Sequence, residues 1–200
     1  AIGDRANREV LDMYQKIFAE YPAAHDLRWR IEHAQHLAPA DIPRFAQMGV
    51  IASMQSIHAC SDAPYVVAHL GEQRAKEGAY VWHTLIESGA MVLDGSDTPV
   101  EDTNPIAGFY CAVTRDDGRG QRFFPAQDKT RMQALRSYTW NNAYAMFEEH
   151  ELGSLSPGKL ADLVVFSGNL LTIPDDQILR TRVLYTVVGG KVVYQRKGAE

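Results

Sequence analysis

The chain has 200 residues, with 20 Lys and Arg against 25 Asp and Glu, for a formal charge of -5. At 46% hydrophobic and 22% charged residues it lies outside the disordered range, and a chain this long buries roughly 70% of its unfolded surface. The mild acidity argues against nucleic acid or an anionic membrane as partner, and no apolar run approaches the ~20 residues that span a bilayer.

The text opens Ala1-Ile2-Gly3-Asp4 with no initiator Met, and helical spacing begins within a few residues, so it reads as cut into rather than begun. No charged-then-apolar leader is visible, and a cytoplasmic protein is expected. Residues 4–21 carry Val10, Met13, Tyr14, Ile17, Phe18 and Tyr21 at the 3–4 spacing of one helical face, stopped by Pro22. Residues 27–33 fit a short strand. Residues 41–48 follow Pro39, carry Ile42, Phe45 and Met48, and precede Gly49, which predicts a second helix. Residues 50–54 are an apolar run of strand length. After a long polar segment, residues 79–88 read as helix, and Met91-Val92-Leu93 reads as a strand running into Asp94-Gly95-Ser96-Asp97.

Helix, Gly, apolar strand and polar tip in repeated order predict βα units around a parallel sheet. About three such units fit before residue 100, whereas a closed (β/α)8 barrel needs about 250 residues, so the chain holds at most part of one. Residues 101–128 read as a loop excursion and 130–149 as one strong helix. From Leu152 the texture turns to β, with strands at 162–166 and 183–188, a Gly189-Gly190 hairpin turn, and a return strand from Lys191.

Side chains at the C-terminal ends of parallel strands face a barrel's active site. His33, His58 and Asp97 meet that description, and two imidazoles with a carboxylate suit a divalent, Zn2+-type site. Each residue also has an ordinary structural reading, as a hydrogen-bonded strand-end His or an Asp capping a Gly-Ser-Asp-Thr-Pro turn. A carboxylate at Asp97 could also take a proton from a metal-bound water. Glu32 points to the opposite face of a regular strand, and His36 follows in the loop. His25, His69, His83 and His150 carry no ligand spacing. Cys60 and Cys111 lie 51 positions apart, too few for a disulfide scaffold and without zinc-finger spacing. They read as free thiols in a reduced, enzyme-like domain. Glycine-rich phosphate loops and Gly-x-Ser-x-Gly elbows are absent from the sequence.

The strings Ala1-Ile2-Gly3-Asp4-Arg5-Ala6, Arg30-Ile31-Glu32-His33-Ala34-Gln35, Gly95-Ser96-Asp97-Thr98-Pro99-Val100 and Gly153 to Leu163 occur in this order. Together they resemble the YtcJ-like branch of the metal-dependent amidohydrolase superfamily, a branch that includes N-substituted formamide deformylase. The resemblance implies an α/β fold: residues 1–150 as the C-terminal portion of a (β/α)8 TIM barrel, about strands five or six to eight, and residues 151–200 as strands of a small β-sandwich domain. It implies hydrolysis of an amide-type C–N bond in a small-molecule substrate by a metal-activated water, with one or two divalent ions, Zn2+ first.

In that pattern His33 and Asp97 are metal ligands, Asp97 is also the catalytic base, and His58 faces the substrate. The family's remaining ligands precede this text, so the resemblance implies an incomplete site and a chain inactive by itself. A non-catalytic α/β fragment that self-associates or binds a small molecule is the competing reading. A half-barrel exposes an unpaired strand edge, so homo-oligomerisation through that edge is expected. Phe109, Tyr110, Phe123 and Phe124 in the 101–128 loop either shape the pocket mouth or pack the loop.

Overall fold

The computed structural model describes residues 1–23 and 26–198, so His25 lies outside the described residues. The first helix, α1 (Asp4–Glu20), turns Val10, Leu11, Tyr14 and Phe18 toward the main core. Buried Asn7 ties its start to the strand-exit loop, its Nδ2 donating to the carbonyls of Gly3 (3.0 Å) and His36 (3.1 Å).

Strand β1 (Arg30–Glu32) is shorter than the expected 27–33, because Arg28 and His33 have positive φ and interrupt the extended backbone on either side. Helix α2 (Ile42–Met48) follows a 3-10 turn at Pro39–Asp41 and ends at Gly49, whose φ of 64° suits a residue without Cβ. Strand β2 (Ile51–Met54) comes next. The segment that looked merely polar then forms two helices, α3 (Ser56–Leu70) and α4 (Glu72–Gly78). Helix α5 (Trp82–Glu87) leads to strand β3 (Val92–Asp94).

The three strands form a parallel sheet in the order β1-β2-β3, with Arg30 opposite Ile51 and Ala52 opposite Val92. Their helix-facing side chains, Ile31, Ala52, Met54 and Val92, pack with Phe45, Tyr80, Trp82 and Leu85 in the largest core. On the other face Ile51 and Leu93 meet Ala145. This is an α/β fold with strand-then-helix order, as the periodicity predicts.

Residues 101–128 are not simply a loop. They contain helix α6 (Pro105–Thr114), whose Ile106 N–H donates to the Asn104 side chain (3.1 Å) at its cap. Phe109 and Phe123 are buried in the two larger cores, so these two rings pack the interior. The helix expected over 130–149 is two: α7 (Arg131–Tyr138), opened by a Thr130/Gln133 capping box, and α8 (Trp140–Ala145). The break falls at Thr139, whose φ of -130° and ψ of -91° cannot continue a helix. Gly108 of α6 lies against Tyr138 of α7, where an added Cβ would sit 1.9 Å from the phenol oxygen.

The break in turn places α8 along the edge of the sheet. Asn141 and Asn142 donate their side-chain N–H groups to the carbonyls of Val92 (2.9 Å) and Asp94 (3.1 Å). The β3 edge is therefore capped by amides of the chain itself.

The C-terminal sheet holds β4 (Leu163–Phe166), β5 (Val183–Val188) and β6 (Lys191–Gln195), antiparallel in that order. Gly189 and Gly190, both at positive φ, turn the β5–β6 hairpin. Helix α9 (Asp175–Ile178), between β4 and β5, anchors this region: Ile178 and Leu170 pack with Ile106, Phe109 and Ala112 of α6 and Ala134 of α7.

The cysteine expectation is corrected. Cys60 of α3 and Cys111 of α6 are joined as a disulfide with Cα atoms 6.1 Å apart, and no described cysteine is free. Sequence separation hid the pair; the packing of α3 on α6 makes it. No helix among the described residues is long and apolar enough to cross a membrane.

Candidate metal centre

The three residues singled out in the sequence meet in space. One imidazole nitrogen each from His33 and His58 and a carboxylate oxygen of Asp97 lie within 4.8 Å of one another. They come from three neighbouring places: the end of β1, the first turn of α3 after β2, and the turn after β3. Parallel pairing in register brings those strand ends together.

Backbone conformation aims two of the three. His33 (φ 69°) and Asp97 (φ 56°) both occupy the left-handed region, unusual for residues with a Cβ and concentrated at functional sites. The His33 N–H still donates to the Ser53 carbonyl (2.7 Å), so the ring leaves the sheet at a fixed point. The turn after Asp97 is closed by the Val100 N–H donating to the Asp97 carbonyl (2.8 Å).

The tautomer of His33 follows from its partner. Its Nδ1 lies 3.0 Å from Gln55 Oε1, an oxygen that only accepts, so Nδ1 carries the proton and Nε2 keeps the lone pair. His58 is buried, and its Nε2 has no hydrogen-bond partner among the described residues. A buried imidazole nitrogen without a partner costs free energy, on the order of 1–3 kcal/mol, unless something else meets it. The Asp97 carboxylate is exposed and has no hydrogen-bond partner among the described residues. The two rings lie nearly parallel, 19° apart in plane, with centroids separated by 6.1 Å.

Beneath these donors lies a buried ion pair that sequence reasoning missed. Asp94, the last residue of β3, has a fully buried side chain, as does its partner Lys129. Asp94 Oδ1 accepts from the Ser56 N–H (2.9 Å) and hydroxyl (2.6 Å); Oδ2 accepts from the Ser137 hydroxyl (2.6 Å) and from the Lys129 ammonium. Burial pushes the Lys129 ammonium down, and Asp94 opposes that shift. Arg115 lies over the opposing Trp82 ring at 4.3 Å, and its guanidinium is lowered to about 9, chiefly by burial. Lys129 Nζ also sits 5.1 Å from that ring.

Gln55 was missed as well. The only signal in the sequence was position, since both Gln55 and Asp94 sit at strand ends beside residues that were singled out. Glu32 lies apart from the cluster, accepting from the Ser53 hydroxyl (2.5 Å) and pairing with Arg30 (2.6 Å). Among the other histidines, His36 packs edge-on against Tyr80, and His69, His83 and His150 lie outside the cluster.

The amidohydrolase family model matches residues 1–194. The chain is 42% identical to the Arabidopsis thaliana protein LONG AFTER FAR-RED 3, over 97% of this chain and 33% of that protein. It is 32% identical to YtcJ of Bacillus subtilis (strain 168), over 98% of this chain and 37% of that one. It is 27% identical to N-substituted formamide deformylase of Arthrobacter pascens, over 99% of this chain and 36% of that enzyme. Among solved structures, a metal-dependent hydrolase from Pyrococcus furiosus superimposes with a TM-score of 0.66 at 30% identity, covering 80% of this chain and 30% of that one. The chain thus spans about a third of the length of the curated relatives it matches. With its matching sequence, α/β fold and similarity to metal-dependent hydrolases, the chain belongs to the amidohydrolase family.

Proposed function

We propose that the chain is the C-terminal portion of a (β/α)8-barrel hydrolase that cleaves amide-type C–N bonds in a small molecule, with His33 and Asp97 as ligands of a divalent cation. The observation that carries this reading is the convergence of three unpaired donors: the Nε2 lone pair of His33, the partnerless Nε2 of His58, and the Asp97 carboxylate. The imidazole nitrogen of His33 and the carboxylate oxygen of Asp97 are donors suited to Zn2+, which is our first choice of metal. When bound, the cation supplies Lewis acidity and brings the pKa of water toward neutrality.

The chain's own groups divide the remaining work. Gln55 holds His33 in the tautomer that presents Nε2. Asp97 would hold the cation through its carboxylate, and as general base it can take a proton from the attacking water and return it to the leaving amine. His58, the buried member of the cluster, offers its free nitrogen to the substrate amide. Residues 1–150 supply the barrel portion and 151–200 the strands of a small sandwich. The family pattern assigns further ligands to sequence preceding Ala1, so we read these 200 residues as part of a site and expect little turnover from them alone.

A test is amine release from N-substituted formamides by Zn2+-loaded protein of the relatives' full length carrying this sequence, with and without Asp97→Asn. Loss of a positioned base lowers the rate about 10²–10⁴-fold. Unchanged turnover in the variant contradicts the assignment. The competing reading, a non-catalytic module that self-associates, draws support from the exposed Val192, Val193 and Tyr194 of the second sheet. It predicts concentration-dependent self-association, or binding of a small molecule, without turnover.

A further inference from the structure

We propose that the buried Asp94–Lys129 pair, with Ser56 and Ser137, is the positioning device of the metal centre and sets the spacing between His58 and Asp97. This rests on the reading of His33 and Asp97 as cation ligands with His58 facing the substrate beside them, and adds the residues that hold the three in shape.

Asp94 lies three residues before Asp97, and Ser56 two residues before His58. The bonds from the Ser56 N–H and hydroxyl to Asp94 Oδ1 therefore fasten the start of α3 to the end of β3, just upstream of both candidate donors. A second fastening closes the far side: the Ser61 hydroxyl donates to Glu101 Oε1 at 2.5 Å, joining α3 to the turn beyond Asp97. His58 lies between Ser56 and Ser61, and Asp97 lies between Asp94 and Glu101. The two candidate donors are bracketed by two cross-links between the same two segments.

The inner cross-link is the stiffer. Its carboxylate is fully buried, accepts four hydrogen bonds and is neutralised by an ammonium that is also fully buried. Lys129 Nζ reaches the Ser56 hydroxyl as well (3.2 Å), so the same cation contacts both sides of the joint. A carboxylate held from four directions has no alternative rotamer to sample, and the strand end it terminates is fixed with it. Lys129 itself is inaccessible to substrate. Its effect must pass through the geometry of the donors.

Loss of groups that orient metal ligands typically lowers metal affinity about 10- to 100-fold. The test uses the 200-residue chain with Co2+ alone as probe, following uptake and the d–d absorption band in wild type, Lys129→Met and Ser137→Ala. Ser137→Ala removes one donor without stranding a charge, and so covers the case in which Lys129→Met does not fold. Ile178→Val, in the separate α6–α9 core, is the control for lost stability without lost positioning.

Positioning predicts at least tenfold weaker Co2+ binding and an altered band shape in the folded Lys129→Met and Ser137→Ala variants, with Ile178→Val behaving as wild type. Wild-type affinity and band shape in both folded hub variants overturn the proposal. The metal-free readout is the imidazole 15N spectrum of His58, which positioning predicts will shift in Ser137→Ala and remain unchanged in Ile178→Val. If the wild type takes up no Co2+, the cation reading fails for this chain. The 15N spectrum then decides alone whether the hub positions His58, and an unmoved His58 signal overturns the proposal.

Discussion

The two sheets of this chain both carry short apolar strands and bury them oppositely. In β1-β2-β3 the central strand is buried almost throughout and β3 entirely, with helices on one side and α8 along an edge. In β4-β5-β6 the last strand is exposed at every position, and Val164, Val165, Val188, Val192 and Val193 are among the exposed apolar residues. A run of Ile, Leu or Val is thus a strand signal in both places but a core signal in only one. Burial depends on what packs against the sheet. The candidate site belongs to the packed sheet, where donors a few ångströms apart can be held by a fully bonded interior; the second sheet has no such layer over its outer strand.

Substitutions should separate the two regions sharply. The largest effect is expected for Trp82→Ala, which empties a fully buried position and removes the ring beside the Arg115 and Lys129 cations. Chemical denaturation should show a loss of about 3–5 kcal/mol. Next comes Cys60→Ala, which removes the link between α3 and α6; release of a 51-residue separation from cross-linking should cost about 2–4 kcal/mol. Thiol titration of the unreduced wild type should find both cysteines protected.

A smaller effect is expected with pH at His36. Burial holds its imidazole below the ordinary 6.5, although Asp62 and Asp4 pull the other way. Between the folded value and 6.5 the unfolded chain binds more protons, so stability rises with pH across that window and is lost on acidification. The melting temperature of wild type should therefore fall more steeply below about pH 6.5 than that of His36→Gln, with the two curves converging in shape above it. The smallest effect is reserved for the second sheet: Val193→Thr should stay within about 0.5 kcal/mol of wild type. A loss of several kcal/mol there would mean that the outer sheet is covered in solution.

Much of the packed region was legible in the sequence, because its signals are local. Gly49 ended a helix as expected, the short apolar runs became parallel strands, and Gly189-Gly190 made the hairpin. What was missed is non-local or contrary to simple periodicity. Helix α6 is apolar on nearly every side, so it lacks a stripe, and its Asp- and Gly-rich flanks made the whole segment read as loop. Helix α3 carries an internal Pro64 and polar residues whose partners, Asp94, Glu101 and Gln35, lie elsewhere in the chain. The break at Thr139 accompanies contacts of Asn141 and Asn142 with β3 that are invisible to local periodicity.

The site divides in the same way. His33, His58 and Asp97 stood out because strand ends are predictable. Gln55, Asp94 and Lys129 did not, because hydrogen bonds between residues 22 positions apart, as between His33 and Gln55, or 35, as between Lys129 and Asp94, leave no periodic trace.

The most direct test of the central claim is metal content per chain by plasma mass spectrometry, after Zn2+ loading and desalting, on wild type and His33→Ala in parallel. The account predicts bound zinc in the wild type, at most one equivalent, and a clear loss in the variant. Equal zinc in both, or none in the wild type, would contradict the assignment of His33 and Asp97 as metal ligands in this chain.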